Sequence, residues 1–154
     1  MGIGMIVMIA IAIIVGAIFL QAIAQSVGVA VSTVVVSNDS NVAGANGETF
    51  YITDYRAISG VSILNGSNVG ESIGSGNYTV TNNVVYNGAL AISITVDDTE
   101  FESQTWYVSG TAEPLTYIPD SGGRAMANLI VVMFALAILA AVLAPVIKDG
   151  MNFS

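Results

Sequence analysis

The chain has no cysteine and no histidine, and only three of its 154 residues are basic. Without Cys there is no disulfide, no thiol nucleophile and no Cys-type zinc site. Without His there is no imidazole base or imidazole metal ligand. Ser and Thr are plentiful, but a hydroxyl nucleophile needs a neighbouring base, and the single lysine, Lys148, stands near the far end. Charge of either sign is scarce, at 9% of residues against about 25% in ordinary soluble domains. Eleven acids oppose Arg56, Arg124 and Lys148, for a net charge of -8. Three scattered cations form no phosphate-binding patch, and an acidic surface repels nucleic acid. An enzyme is not expected from this composition, and neither is a cofactor.

What the chain does have is long uncharged runs. Its first charged side chain is Asp39, and none lies between Arg124 and Lys148. A helix needs about 20 apolar residues to cross the hydrocarbon core of a bilayer. Residues 3–36 and 129–147 are both long enough. The N-terminal run carries Ala22-Ile23-Ala24, a small-x-small pattern like a signal-peptide cleavage site. It lacks a basic leading segment and is too long for a signal peptide, so an uncleaved helix is expected. Its apolar character is continuous rather than one-sided, which marks a helix covered all round. Small residues recur four apart, Ala12 with Gly16, Ala137 with Ala141 and Ala140 with Ala144. That spacing lets helix backbones approach closely in lipid. Gln21 and Gln25 sit one turn apart near the end of the first span.

Between the runs the pattern changes. Residues 27–36 are β-branched enough for a strand but also extend the helix, which is expected to run through about Ser32. Ser37-Asn38-Asp39-Ser40-Asn41, followed by Gly44 and Gly47, reads as a loop. Strand patterns follow at 49–53, 57–64, 78–86, 89–96 and 101–109. Asn87-Gly88 between two such runs is a strong hairpin signal. Pro114 and Pro119 bracket an extended connector, and Asp120 or Ser121 is placed to cap the second helix. Pro145 lies in that helix's final turns, where it loosens them. The expected organisation is an N-terminal hydrophobic helix (1–36), a β-rich polar insert (37–119), a C-terminal hydrophobic helix (120–148) and a short tail (149–154). The fold class is a membrane-type α+β chain, two long hydrophobic helices flanking a small antiparallel β-sandwich or open barrel.

Candidate chemistry is sparse. Asp97, Asp98, Glu100 and Glu102 form the one acidic cluster. Strand alternation there places Glu100 and Glu102 on one face, a weak calcium candidate without the 12-residue loop pattern of a dedicated site. A solvated acidic turn is the plainer account. The glycine-rich stretch 70–76 lacks the lysine of a phosphate loop and reads as a strand connection. Phe101, Trp106, Tyr107 and Tyr117 read as core and interface aromatics, and Tyr117 and Arg124 lie where membrane-interface anchors are expected. Asn38, Asn65 and Asn77 open Asn-x-Ser/Thr sequons, candidate glycosylation acceptors in a chain rich in all three residue types. The residues expected to do work are therefore those of helix packing: Ala12, Gly16, Ala137, Ala140, Ala141 and Ala144.

Two apolar spans at residues 3–26 and 125–147 resemble the small two-helix coat and membrane proteins of membrane-containing or spindle-shaped prokaryotic viruses. The β-rich insert is an addition to that pattern. The resemblance implies a structural protein of a virion, its helices in or forming a hydrophobic shell. Its partners are then a lipid bilayer, copies of itself, or other structural subunits. Two real spans put both termini on one side and the insert on the other. An acidic, β-rich insert with sequons is expected outside, on a virion or cell membrane. Two other readings fit the same runs: an accessory subunit of a cellular membrane complex, and a pilus-like filament subunit. The second apolar helix counts against the filament, which needs only one.

Overall fold

The computed structural model describes residues 3–66 and 70–151. Two long apolar helices flank two small antiparallel sheets that do not close on each other. In chain order the elements are α1 (Ile3–Val31), β1 (Val34–Val42), β2 (Thr49–Ile52), β3 (Tyr55–Asn65) and β4 (Ser72–Ile73). Then come β5 (Tyr78–Tyr86), β6 (Ala89–Val96), β7 (Thr105–Pro114) and α2 (Ser121–Met151). The helices form one compact unit and Ser32–Tyr117 the other.

In the helical unit, α1 and α2 run antiparallel. The Ile118 N–H donates to the Ala30 carbonyl at 2.8 Å, occupying one of the orphan acceptors that end a helix. Asp120 caps α2. Its carboxylate accepts from the Gly123 N–H at 2.5 Å and its carbonyl from the Arg124 N–H at 3.0 Å. The Arg124 guanidinium turns back to the Ile118 and Pro119 carbonyls, 2.9 Å from each. Along α1 the half-buried positions include Ile9, Gly16, Leu20, Ile23, Val27 and Ala30. Along α2 they include Ala127, Val131, Ala135, Ile138, Val142 and Pro145. Steps of three and four are the spacing of a coiled-coil seam. At Gly16 the helices approach closely, since a Cβ there would stand 2.8 Å from Ile138 Cγ2.

In the β unit one sheet has the order β1-β7-β3-β4 and the other β2-β6-β5. Alternate residues point inward, so Ile52, Ile92, Ile94 and Val96 from one sheet meet Ile58, Ile63, Trp106 and Val108 from the other. Trp106 is fully buried at the centre, edge-on to Phe50 and Tyr78. Its indole N–H, costly to bury unpaired, donates to the Phe101 carbonyl at 3.0 Å. Three strands carry bulges at residues of positive φ, Asn38 at 54° in β1, Gly60 at 60° in β3 and Asn83 at 58° in β5, and the β3 register shifts again between Tyr55 and Ala57. Glycine and asparagine reach that region most easily, and the bulges twist the strands. Asn87 (φ 50°) and Gly88 (φ 81°) close the β5–β6 hairpin with both central residues left-handed, as a type I′ turn requires.

Several expectations are corrected in detail. The helix ends at Val31, within a residue of the expected Ser32, but the helical segment drawn as 1–36 is too long, because Val34–Val36 open β1. Residues 37–41, expected as loop, continue β1, because the Asn38 bulge absorbs their turn chemistry without breaking the pairing to β7. The last strand starts at Thr105, not Phe101. Ser103 at φ 57° and the Gln104 amide, donating to the Glu100 carbonyl at 2.8 Å, hold 101–104 as a turn. The connector after Pro114 is likewise a turn, with the Tyr117 N–H donating to the Pro114 carbonyl at 2.9 Å. The helix expected over 120–148 continues to Met151; of the tail, 152–154 lie outside the described residues.

Candidate functional site

Outside their shared seam, the helices expose mostly apolar side chains. Ile6, Ile14, Ile18 and Phe19 on α1, and Leu129, Met133, Leu136 and Leu139 on α2, are uncovered by the chain itself. An open groove of about 350 Å³ runs along α2 between Met126, Leu129, Ile130, Met133, Phe134 and Ala137. Another of about 290 Å³ lies between the helices, lined by Met8, Ile9, Ala12, Ala141, Val142 and Pro145. A large apolar side chain left in water forgoes about 1.5–3 kcal/mol of burial. Soluble monomers rarely expose contiguous apolar patches beyond a few hundred Å². This surface is the chain's most distinctive chemical feature, and α1 and α2 are each long and apolar enough to cross a membrane.

The residues expected to pack the helices divide. Gly16 lies in the seam. Ala12, Ala137, Ala140, Ala141 and Ala144 are exposed beside or away from it. The small seam residues on α2 are instead Ala127 and Ala135, which sequence spacing did not single out. An all-apolar helix carries no polar contrast from which its contact face can be read.

The acidic residues do not form a metal site. Among the described residues no three carboxylates are placed to hold an ion. Residues 97–104 are not a strand, so alternation does not align Glu100 with Glu102. Their oxygens serve the loops: Asp97 Oδ2 accepts from the Thr79 hydroxyl at 2.6 Å, Asp98 Oδ1 from the Glu100 N–H at 2.9 Å and Glu102 Oε2 from the Asn46 N–H at 2.9 Å. The sequon asparagines also differ. Asn38 is exposed in its bulge and Asn77 is half-buried. Asn65 is buried with its amide donating to Glu71 Oε2 at 3.2 Å, and Ser67 of its sequon lies outside the described residues.

Two polar features of the β unit were not anticipated from sequence. The Asn82 carboxamide pairs with the backbone of Ile58, accepting its N–H at 2.9 Å and donating to its carbonyl at 3.1 Å. The amide thus stands in for a neighbouring strand where β3 runs past β4. Next to it, half-buried Arg56 donates to Asn83 Oδ1 at 2.9 Å and to the Tyr117 carbonyl at 3.3 Å, with Glu113 at 3.7 Å. Both features tie strands together, and Ile58, Asn82 and Glu113 line a small cleft of about 110 Å³. Burial raises the Tyr78 phenol above its usual 10.0, because a buried site disfavours the phenolate. No family model, curated protein or solved structure matches the chain.

Proposed function

We propose that this is a structural assembly protein whose α1–α2 hairpin lies in, or helps form, a hydrophobic layer that displays the β unit on its outer side. One observation carries the reading: over residues 6–24 and 129–147, the described side chains outside the seam are uncharged, apolar apart from Gln21, and uncovered by the chain. In lipid or among like helices such a surface costs nothing, and the backbone is already satisfied within each helix. The antiparallel hairpin brings Val31 and Ser121 to one end, so both connections to the β unit leave from the same side. An acidic, bulged β-sandwich held by hydrogen bonds and packing suits display rather than chemistry.

In its sharper form, the protein belongs to the coat or membrane of a virion. The likeness to two-helix coat proteins of prokaryotic viruses supports this form, as does an insert without a catalytic set. The test is stoichiometry. The particle or membrane complex carrying the protein is isolated in native form and its copies are counted by quantitative mass spectrometry. Hundreds of identical copies are expected. One to three copies beside larger chains would overturn the shell and make it an accessory subunit.

A further inference from the structure

The helices are longer than a hydrocarbon core. At 1.5 Å per residue, α1 and α2 extend roughly 44 and 46 Å, against about 30 Å of hydrocarbon. Polar residues divide that length. On α1, Gln25 follows the Gly16 contact by nine residues, and on α2, Asn128 precedes Ile138 by ten. Gly16 and Ile138 touch, so these two exposed carboxamides lie at nearly the same level of the hairpin. In the other direction, Lys148 follows Ile138 by ten residues and Ile6 precedes Gly16 by ten. Between these limits the only polar side chain on either helix is Gln21. Gln21 lies one turn inside Gln25.

Resting on the bilayer form of the proposed function, we infer that lipid hydrocarbon covers residues 6–24 and 129–147. In this register the Gly16–Ile138 contact lies at the bilayer midplane. Ten residues to either side of that contact rise about 15 Å, so the apolar segment matches the core thickness from both ends. The remaining helix, residues 26–31 and 121–127, rises about 9–10 Å and occupies the headgroup layer. Its residues suit that layer: Ser26, Ser121, three glycines, and Arg124 with its guanidinium held on the Ile118 and Pro119 carbonyls. Cationic and polar side chains favour this zone. The hydrocarbon is therefore bounded by the amides, about six residues short of the helix ends that lead to the β unit.

The absence of native cysteine makes the test direct. Nitroxide labels are placed on single cysteines at Ile18, Val29, Met126 and Leu136 in the full chain, reconstituted in phosphatidylcholine vesicles. These positions are 63%, 56%, 68% and 54% exposed, so shielding there is not the work of the chain's own fold. Collision rates with oxygen, which enters lipid, are compared with those of a water-soluble nickel complex. Labels at Ile18 and Leu136 are expected to collide chiefly with oxygen, and labels at Val29 and Met126 chiefly with nickel. Oxygen-dominated collisions at Val29 and Met126 would overturn the register and leave the membrane reading standing. Exclusion of both reagents at Ile18 and Leu136 would replace lipid with packed copies, overturning this inference but not the assembly role. Free nickel access at all four sites would overturn both.

Discussion

Replacing Asn82 with alanine isolates the feature that closes the β3–β5 corner of the β unit. The substitution removes the hydrogen bonds of 2.9 and 3.1 Å to the two backbone groups of Ile58. A typical intramolecular hydrogen bond contributes about 0.5–1.5 kcal/mol net, which gives about 1–3 kcal/mol for the pair. Asn82 is itself exposed, so water can approach the freed Ile58 groups and the lower half of that range is expected. For a domain of this size, about 1 kcal/mol moves the melting midpoint by roughly 4–8 °C. Trp106 provides the readout, as the single tryptophan, buried in the β unit and absent from both helices. Its fluorescence in the full chain, held in mild detergent, reports β-unit unfolding without a signal from the hairpin. Asn82→Asp keeps an acceptor for the Ile58 N–H but sets a carboxylate against the Ile58 carbonyl, so it should melt lower than Asn82→Ala. Ser75→Ala, on an exposed turn, serves as control. If Asn82→Ala melts with the wild type and the control, the amide is not replacing a strand and the corner is held by packing alone.

Three further outcomes follow from single sites. Gly16→Val places a branched side chain where a Cβ alone meets Ile138 at 2.8 Å, so disulfide cross-linking between cysteines placed at Ala12 and Val142 should fall sharply relative to the Gly16 parent. Trp106→Phe strands the Phe101 carbonyl and leaves a cavity, with an expected loss of about 2–4 kcal/mol measured by far-ultraviolet circular dichroism melts. Tyr78 holds its proton more tightly when folded, because burial raises its pKa above 10.0. Its contribution to stability is therefore intact below pH 10 and is lost as pH rises through the raised folded value. Tyr78→Phe should flatten that alkaline decline in Trp106 melts.

The sequence shows the parts of this fold that rest on strong local signals. Two uncharged runs become two helices, because no competing charge or proline interrupts them before Pro145. Asn87-Gly88 becomes the hairpin turn because both residues tolerate positive φ. The same tolerance misleads at Asn38, where an identical local preference is spent on a bulge inside β1 rather than on a loop. Tertiary pairing to β7 decides between the two, and no local window contains it. Asn82 is opaque for the same reason: its partner Ile58 is distant in sequence, and nothing local marks an amide that will meet a strand edge. On α2 the seam falls on Ala135 and Ile138, while the regularly spaced Ala137, Ala140, Ala141 and Ala144 stay exposed. Small-residue spacing reveals where close approach is permitted, not which side the partner occupies.

The bilayer form of the proposed role depends on the apolar hairpin being held in a lipid layer, and alkaline carbonate extraction followed by density flotation tests that most directly. Native membranes or particles are treated at high pH, which strips peripheral proteins, and then floated through a sucrose gradient. If the hairpin is embedded, the chain rises with the lipid and enters the soluble fraction only when detergent is added. Release of the chain into the carbonate supernatant without detergent would contradict the account.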